Sequence, residues 1–236
     1  MFAAIKLLTV WIGLGIPAAM IAIPWAAIRN DFSLMYRWGM GIVWLGVRAA
    51  GVRVRIEGTE NLPGQPCIFV SNHVSNMDAP VLLPSLPGRS SVFIKKKLMG
   101  IPVLGLAMRM AKYIPVSRGN SREEAQKSVE YAAEVLRGGL NIVLFPEGTR
   151  SPDGNLLPFK KGGFFLAAET GAPMVPVVIQ GTAGMMHKGS FKIYPAQAVV
   201  RFLPVIWPGQ FEGREELMEA VRGEMEKALA KDQGGE

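Results

Sequence analysis

Apolar and polar positions along the 236-residue chain fall into two regimes that meet near residue 50. The first is almost continuously apolar. Leu7 to Ile28, LLTVWIGLGIPAAMIAIPWAAI, runs 22 residues without a charge. As a helix it would measure about 33 Å, enough to cross a hydrocarbon core of about 30 Å. Pro17 and Pro24 each remove an amide donor and bend such a helix. A cleaved signal peptide with Lys6 as its basic region is the rival reading. The run is long for that role and Arg29 follows at once, which favours a retained anchor. Ser33 to Ala50 is apolar again, with Arg37 and Arg48 as its only charges. Tyr36, Trp38 and Trp44 suit a membrane interface, and an ordinary core helix fits the same pattern. The two segments are expected to form a helical pair that spans the bilayer or dips into one leaflet.

Beyond residue 50 short β-branched runs alternate with helical stretches. VRVRIEG (52–58) alternates apolar and basic, as an edge strand would. CIFV (67–70), SVFI (91–94) and NIVLF (141–145) read as buried strands. YIPV (113–116) and MVPVVI (174–179) do too, weakened by Pro115 and Pro176. SREEAQKSVEYAAEVLR (121–137) is an amphipathic helix with a Ser121–Glu124 capping box, ended by Gly138 and Gly139. Glu215 to Lys231 reads as another. Strands alternating with helices predict an α/β fold: a mixed, largely buried sheet flanked by helices, behind an N-terminal apolar helical membrane anchor. Residues 1–50 are the anchoring part, 51–212 the α/β domain, and 213–236 a C-terminal amphipathic helix and tail.

Charge sharpens this picture. Lys and Arg number 26 against 19 Asp and Glu, a net +7, with a pI near 9.7. The partner is therefore anionic: a nucleic acid, a membrane surface or a phosphorylated substrate. A mean hydropathy of +0.22 puts the membrane first. Arg29, Arg37, Arg48, Arg53 and Arg55 all follow the long apolar run, which places the rest of the chain on the cytoplasmic side. The single cysteine, Cys67, rules out an intrachain disulfide and a multi-cysteine zinc site.

Polar islands interrupt the apolar framework just after predicted strands, where a rigid sheet positions functional loops. They are SNHVSNMD (71–78), SRGN (117–120) and PEGTRSPDG (146–154), with KKK (95–97) as a fourth group. In the first, an imidazole is the side chain suited to proton transfer near neutrality. A carboxylate on one ring nitrogen would fix its tautomer and leave the other as general base. Asp78 is near enough in sequence to serve His73. Asp78 also precedes Ala79 and Pro80, so it could simply cap a helix, and Ser75 with Asp78 matches a capping box. Structure and catalysis explain this island equally well by themselves. No G-x-S-x-G occurs, so the base would activate a hydroxyl of the substrate. Arg118 and Arg150 offer guanidinium forks for phosphate, and Lys95 to Lys97 add positive charge. A solvated basic rim is the plainer account of each. Glu147 could bind a polar headgroup or lock Arg150, and Gly148, Gly162 and Gly163 allow close backbone approach.

Taken in order, NHVSNMD and FPEGTRS resemble the glycerolipid acyltransferase family typified by 1-acyl-glycerol-3-phosphate acyltransferase. His73 and Asp78 match its H-x4-D motif, and Glu147, Gly148, Thr149 and Arg150 match its E-G-T-R block. YIPVSR resembles the family block ending in arginine, here Arg118, although Ser117 stands where the family often has aspartate. FIKKKLMGIPVLG (93–105) resembles the stretch carrying a lysine, matched by Lys95, and VPVVIQGT (175–182) the last block. The likeness covers residues 50 to 205. It implies acyl transfer from acyl-CoA or acyl carrier protein to the sn-2 hydroxyl of lysophosphatidic acid, giving phosphatidic acid. His73 and Asp78 would be catalytic; Lys95, Arg118, Glu147, Gly148, Thr149 and Arg150 would bind the acceptor. Neither a metal nor a resident cofactor is expected; the partners are the bilayer, its lysolipid and the acyl carrier. His187 lies outside these motifs. Another acceptor, such as a lyso-ornithine lipid, is the runner-up. A non-catalytic membrane scaffold would not require His73, and a nucleic-acid-binding protein would leave both the anchor and the motif pair unused.

Overall fold

The structure is a computed structural model describing residues 2–116, 122–186, 190 and 192–233. Helices α1 (Phe2–Arg29) and α2 (Ser33–Ala49) form a hairpin, followed by β1 (Arg53–Glu57), β2 (Ile68–Ser71), α3 (Asp78–Leu82) and β3 (Ser90–Lys95). A 3-10 turn (Lys96–Gly100) leads to α4 (Leu104–Met110), β4 (Ile114–Val116), α5 (Arg122–Arg137), β5 (Asn141–Leu144) and α6 (Gly162–Thr170). Strands β6 (Met174–Gln180) and β7 (Gln197–Phe202) and helix α7 (Arg214–Gln233) complete the order. The predicted strands are all present, and both expected amphipathic helices form, although Ser121 of the capping box lies outside the described residues.

The sheet runs β1-β7-β6-β2-β5-β3-β4. Strands β2 to β6 are parallel, while β7 is antiparallel to β6 and parallel to β1, so the sheet is mixed. The basic strand VRVRIE does occupy one edge. Pro115 sits in the strand at the other edge, where a missing donor costs no ladder bond. Pro176 sits inside the sheet, and its carbonyl accepts from Leu203 N–H (2.9 Å) just where β7 ends. Its absent N–H therefore falls at the margin of the β6·β7 ladder.

Right-handed crossovers then dictate the layers. The chain moves from β2 through β3 to β4 toward one edge, and from β4 back through β5 to β6 toward the other. Opposite directions put the connecting helices on opposite faces. Thus α3 and α4 join the α1–α2 hairpin on one face, over Phe69, Val143, Val175 and Val177. Helices α5, α6 and α7 cover the other, over Ile68, Val70, Ile142 and Val178. The alternation along β2 and β5 shows each strand contributing to both cores.

The hairpin is fastened to this body. Its two helices are tied to each other where Trp11 Nε1–H donates to Val43 O (3.3 Å) and Gly46 leaves the space that the Trp11 ring fills. At the turn, Arg89 donates to Ser33 Oγ (2.9 Å), and Ser90 N–H donates to the Tyr36 hydroxyl (3.0 Å). Helix α1 is long and apolar enough to cross a membrane, with mean hydropathy 2.0 and few buried positions, which makes it a candidate anchor.

Candidate active site

In an open parallel sheet, a crevice forms where neighbouring strands send their connections to opposite faces. Here that point lies between β2, which leads to α3 on one face, and β5, which leads to α6 on the other. His73 follows β2 and Glu147 follows β5, so the two main polar islands meet across this crevice.

The His73 loop is held from several sides. Asn72 is buried, and its side chain imitates a strand residue: its Oδ1 accepts from Ile179 N–H (2.7 Å) while its Nδ2–H donates to Ile179 O (2.9 Å). That amide ties the end of β2 to β6 and lets the chain turn away. His73 N–H donates to Glu147 Oε1 (2.8 Å), and its carbonyl accepts from Ser151 N–H (2.7 Å). Its ring lies 4.5 Å from that of Phe145, the last apolar residue of the β5 run.

Asp78 is fully buried. Its Oδ2 accepts from Val74 N–H and Ser75 N–H, both at 2.7 Å, and lies 2.8 Å from His73 Nδ1. Its Oδ1 accepts from the Thr182 hydroxyl at 2.6 Å. A carboxylate receiving donors on every side is an acceptor toward the ring as well, so His73 Nδ1 carries the hydrogen. In the neutral ring this leaves the lone pair on Nε2, and the side chain is 23% exposed. The two sequence explanations of this island therefore coexist. Asp78 closes the turn into α3 by taking amide hydrogens, and it orients the histidine with the same oxygen.

Glu147 clamps its own loop: Oε2 accepts from Leu157 N–H (2.9 Å) while Oε1 holds His73. Burial pushes its carboxyl above the ordinary glutamate range, outweighing the Leu157 and His73 N–H bonds that favour the charged form. Gly148 follows at φ +67°, and a Cβ there would meet the Lys160 side chain, whose ammonium lies across the turn. Thr149 is exposed. Arg150 reaches inward, and its buried Nη1 has no hydrogen-bond partner among the described residues. Glu147 is thus a structural clamp on His73 rather than a lock on Arg150.

Lys95 ends β3 at the same margin of the sheet, two strands from β2, with an exposed side chain. Arg118 and His187 lie outside the described residues. Sequence reasoning overlooked Asn72, Phe145, Lys160 and Thr182. Thr182 was the most accessible of these, being a polar residue closing VPVVIQGT directly after a strand, as His73 and Glu147 do.

Residues 53–180 match the family model described as acyltransferase. A 1-acyl-sn-glycerol-3-phosphate acyltransferase of Limnanthes alba is 33% identical over 188 residues, 79% of this chain and 65% of that protein. The alpha form of Homo sapiens is 32% identical over 193 residues, 80% of this chain and 67% of the human protein. This chain thus spans about two thirds of the length of these relatives. The crystal structure of the 1-acyl-sn-glycerophosphate (LPA) acyltransferase PlsC from Thermotoga maritima aligns with a TM-score of 0.75 at 25% identity. That alignment covers 97% of this chain and 96% of the other, the N-terminal hairpin included. With the motif residues gathered at the sheet's switch point and a family match across most of the α/β body, the chain belongs to the acyltransferase family.

Proposed function

We propose that this protein transfers an acyl chain from a thioester, acyl-CoA or acyl carrier protein, to the sn-2 hydroxyl of 1-acyl-glycerol-3-phosphate. The observation that carries the reading is the His73 imidazole, 2.8 Å from a buried Asp78 whose oxygens are filled by other donors. Nε2 takes the proton of the acceptor hydroxyl as that oxygen attacks the thioester carbonyl. The tetrahedral adduct collapses, the C–S bond breaks, and the imidazolium returns the proton to the departing thiolate. General base catalysis of this kind contributes roughly 10² to 10⁴ in rate.

Arg150 supports a phosphorylated acceptor, because a buried guanidinium N–H without a partner among the described residues calls for an anionic oxygen. Lys95 and Arg118 would complete that cation set, and Thr149 would line the acceptor side. Holding the phosphate fixes the hydroxyl near Nε2, a positioning effect that reaches about 7–11 kcal/mol at its best.

The hairpin supports an anchor lying in one leaflet rather than a span. Helix α2 is fastened to the α/β body at its start through Ser33 and Tyr36, and buries Val47 in the shared core near its end. Helix α1 lies over it, exposing Ile5, Leu8, Ile12, Met20, Trp25 and Ile28. A body packed along the hairpin leaves no bilayer-thick gap between them. The arginines that follow α1 favour the cytoplasmic surface.

Thiol release from palmitoyl-CoA and palmitoyl carrier protein, with and without lysophosphatidic acid, tests the reading against His73→Ala. Acceptor-dependent release in the native protein, lost in the variant, is the expected result. Release only with a lyso-ornithine lipid or another lysophospholipid would keep the chemistry and move the acceptor. No release with any lysolipid would end the enzyme reading.

A further inference from the structure

Exposed large apolar side chains are unevenly placed on this molecule. Apart from Ile56, Phe165, Tyr194 and Trp207, those among the described residues lie either on the α1–α2 hairpin or between Leu98 and Leu106. The second group is unrelated to the hairpin in sequence. Its nine residues, LMGIPVLGL, contain no polar side chain. Leu98, Ile101, Val103, Leu104 and Leu106 are each between 38% and 47% exposed, while Met99, Ala107 and Met108 pack inward against the core beneath the hairpin. The segment therefore shares the hairpin's face of the sheet, and it leaves β3 at the margin that carries His73 and Glu147.

Two further features fit a lipid surroundings. The turn satisfies much of its own backbone: Ile101 N–H donates to Leu98 O (3.2 Å), Leu104 N–H to Pro102 O (2.6 Å), and Gly105 N–H to Ile101 O (2.7 Å). Pro102 has no donor to satisfy, and internal pairing of amides is what an apolar medium demands. The Pro102–Leu104 bond closes a tight turn at Val103, whose φ of +61° is rare for a β-branched residue. The charge is one-sided as well. From Ala79 to Arg122 the sequence has no Asp or Glu, and the tip is flanked by exposed Lys97, Arg109 and Lys112. Glu124 of α5 stands 4.0 Å from Lys96, outside the apolar segment. An apolar tip rimmed by cations matches the interface of an anionic membrane.

We propose that Leu98 to Leu106 is a second membrane-inserting element, docking in an anionic leaflet beside the hairpin. The two contacts hold the crevice margin at lipid level, so an acceptor reaches Lys95 and His73 without leaving the interface. The inference rests on the leaflet-lying reading of α1, and its test separates the two.

Cys67 is buried and its thiol is pushed up to about 12, so a cysteine placed elsewhere can be labelled alone. Leu104→Cys and Ile12→Cys, each carrying an environment-sensitive fluorophore, are mixed with phosphatidylcholine vesicles containing phosphatidylglycerol and a lipid-borne quencher. Both labels should shift to the blue and be quenched. Quenching at Ile12 with a water-exposed label at Leu104 would overturn the second element and leave the anchor standing. Exposure of both would overturn the two together, and binding indifferent to phosphatidylglycerol would overturn the anionic preference. As a second arm, Val103→Asp with Leu104→Asp should weaken vesicle partition and raise KM for vesicle-borne acceptor about tenfold. Turnover of a dispersed short-chain acceptor should stay at the native value; an unchanged KM on vesicles would count against the proposal.

Discussion

Thr182 is fully buried and cannot touch a substrate, so any effect of changing it on turnover must pass through Asp78. Thr182→Val removes the hydroxyl that donates to Asp78 Oδ1 at 2.6 Å while keeping nearly the same shape, so no cavity opens. A hydrogen bond to a charged group contributes roughly 1.5–3 kcal/mol. Expressed wholly in the transition state, at about 1.4 kcal/mol per tenfold, the loss lowers kcat roughly 10- to 100-fold. Expressed wholly in folding, it lowers Tm by roughly 3–12 °C for a chain of this size. The bond from Thr182 spans the end of β6 to the start of α3, so both readouts should move. KM for acceptor and donor should stay near native, and Thr182→Ser, which restores the donor, should recover most of the activity. The assay is steady-state thiol release over a range of acceptor, beside a thermal melt. If kcat stays within about twofold and Tm within about 1 °C, Asp78 is held by its amide donors alone and the reasoning is wrong.

Other outcomes follow from the same geometry. Arg150→Ala should raise KM for a phosphorylated acceptor roughly 10- to 100-fold, the worth of one or two charge-assisted bonds, with little change in Tm because the buried Nη1 has no partner among the described residues; a melt that drops while KM holds would make Arg150 structural. The raised Glu147 carboxyl binds its proton more tightly in the folded state than in the unfolded one. Stability should therefore fall as pH rises from the ordinary glutamate range, near 4.3, through the raised folded value. Glu147→Gln should flatten that window in pH-dependent melts and lower stability by about 1–3 kcal/mol, because its amide nitrogen cannot accept from Leu157 or His73; parallel profiles would refute the assignment. Gly181 sits at φ +79° with Gln197 O where a Cβ would go, so Gly181→Ala should destabilise by more than the roughly 1–2 kcal/mol of left-handed strain alone. A melt within about 1 °C of native would show that β6 and β7 can part there.

Much of the fold was legible because burial on both faces leaves a plain mark. β2, β5 and β6 are nearly uninterrupted apolar runs, each bounded by polar residues. β7 escaped notice: QAVVRF alternates, with Ala198, Val200 and Phe202 inward, but it is short and carries the charged Arg201 next to its last residue. Arg201 is accommodated there because Glu57 on neighbouring β1 accepts from its Nε at 2.7 Å, a pairing between residues far apart in the chain. Helices α4 and α6 were missed for a different reason. They are short and apolar on most sides, so no helical period stands out.

The candidate site divides in the same way. Local sequence alone determined that His73 and Asp78 lie one turn apart after a strand, that Glu147 to Arg150 form a glycine-bearing loop after another, and that the N-terminus is apolar enough for a membrane. These follow from periodicity and spacing, which a linear chain records directly. Only the tertiary structure decided that the two loops face each other, since that depends on β2 and β5 being neighbours with crossovers to opposite faces. Only it made Glu147 a clamp on His73 N–H and gave Asp78 a fourth donor from Thr182, 104 positions away. Which side of α1 stays bare was likewise settled by packing, because α2 covers one face and α2 itself packs on α3 and the turn after it. Hydrogen bonds and burial act through distance in space, and strand order, which sets those distances, is a property of the whole chain.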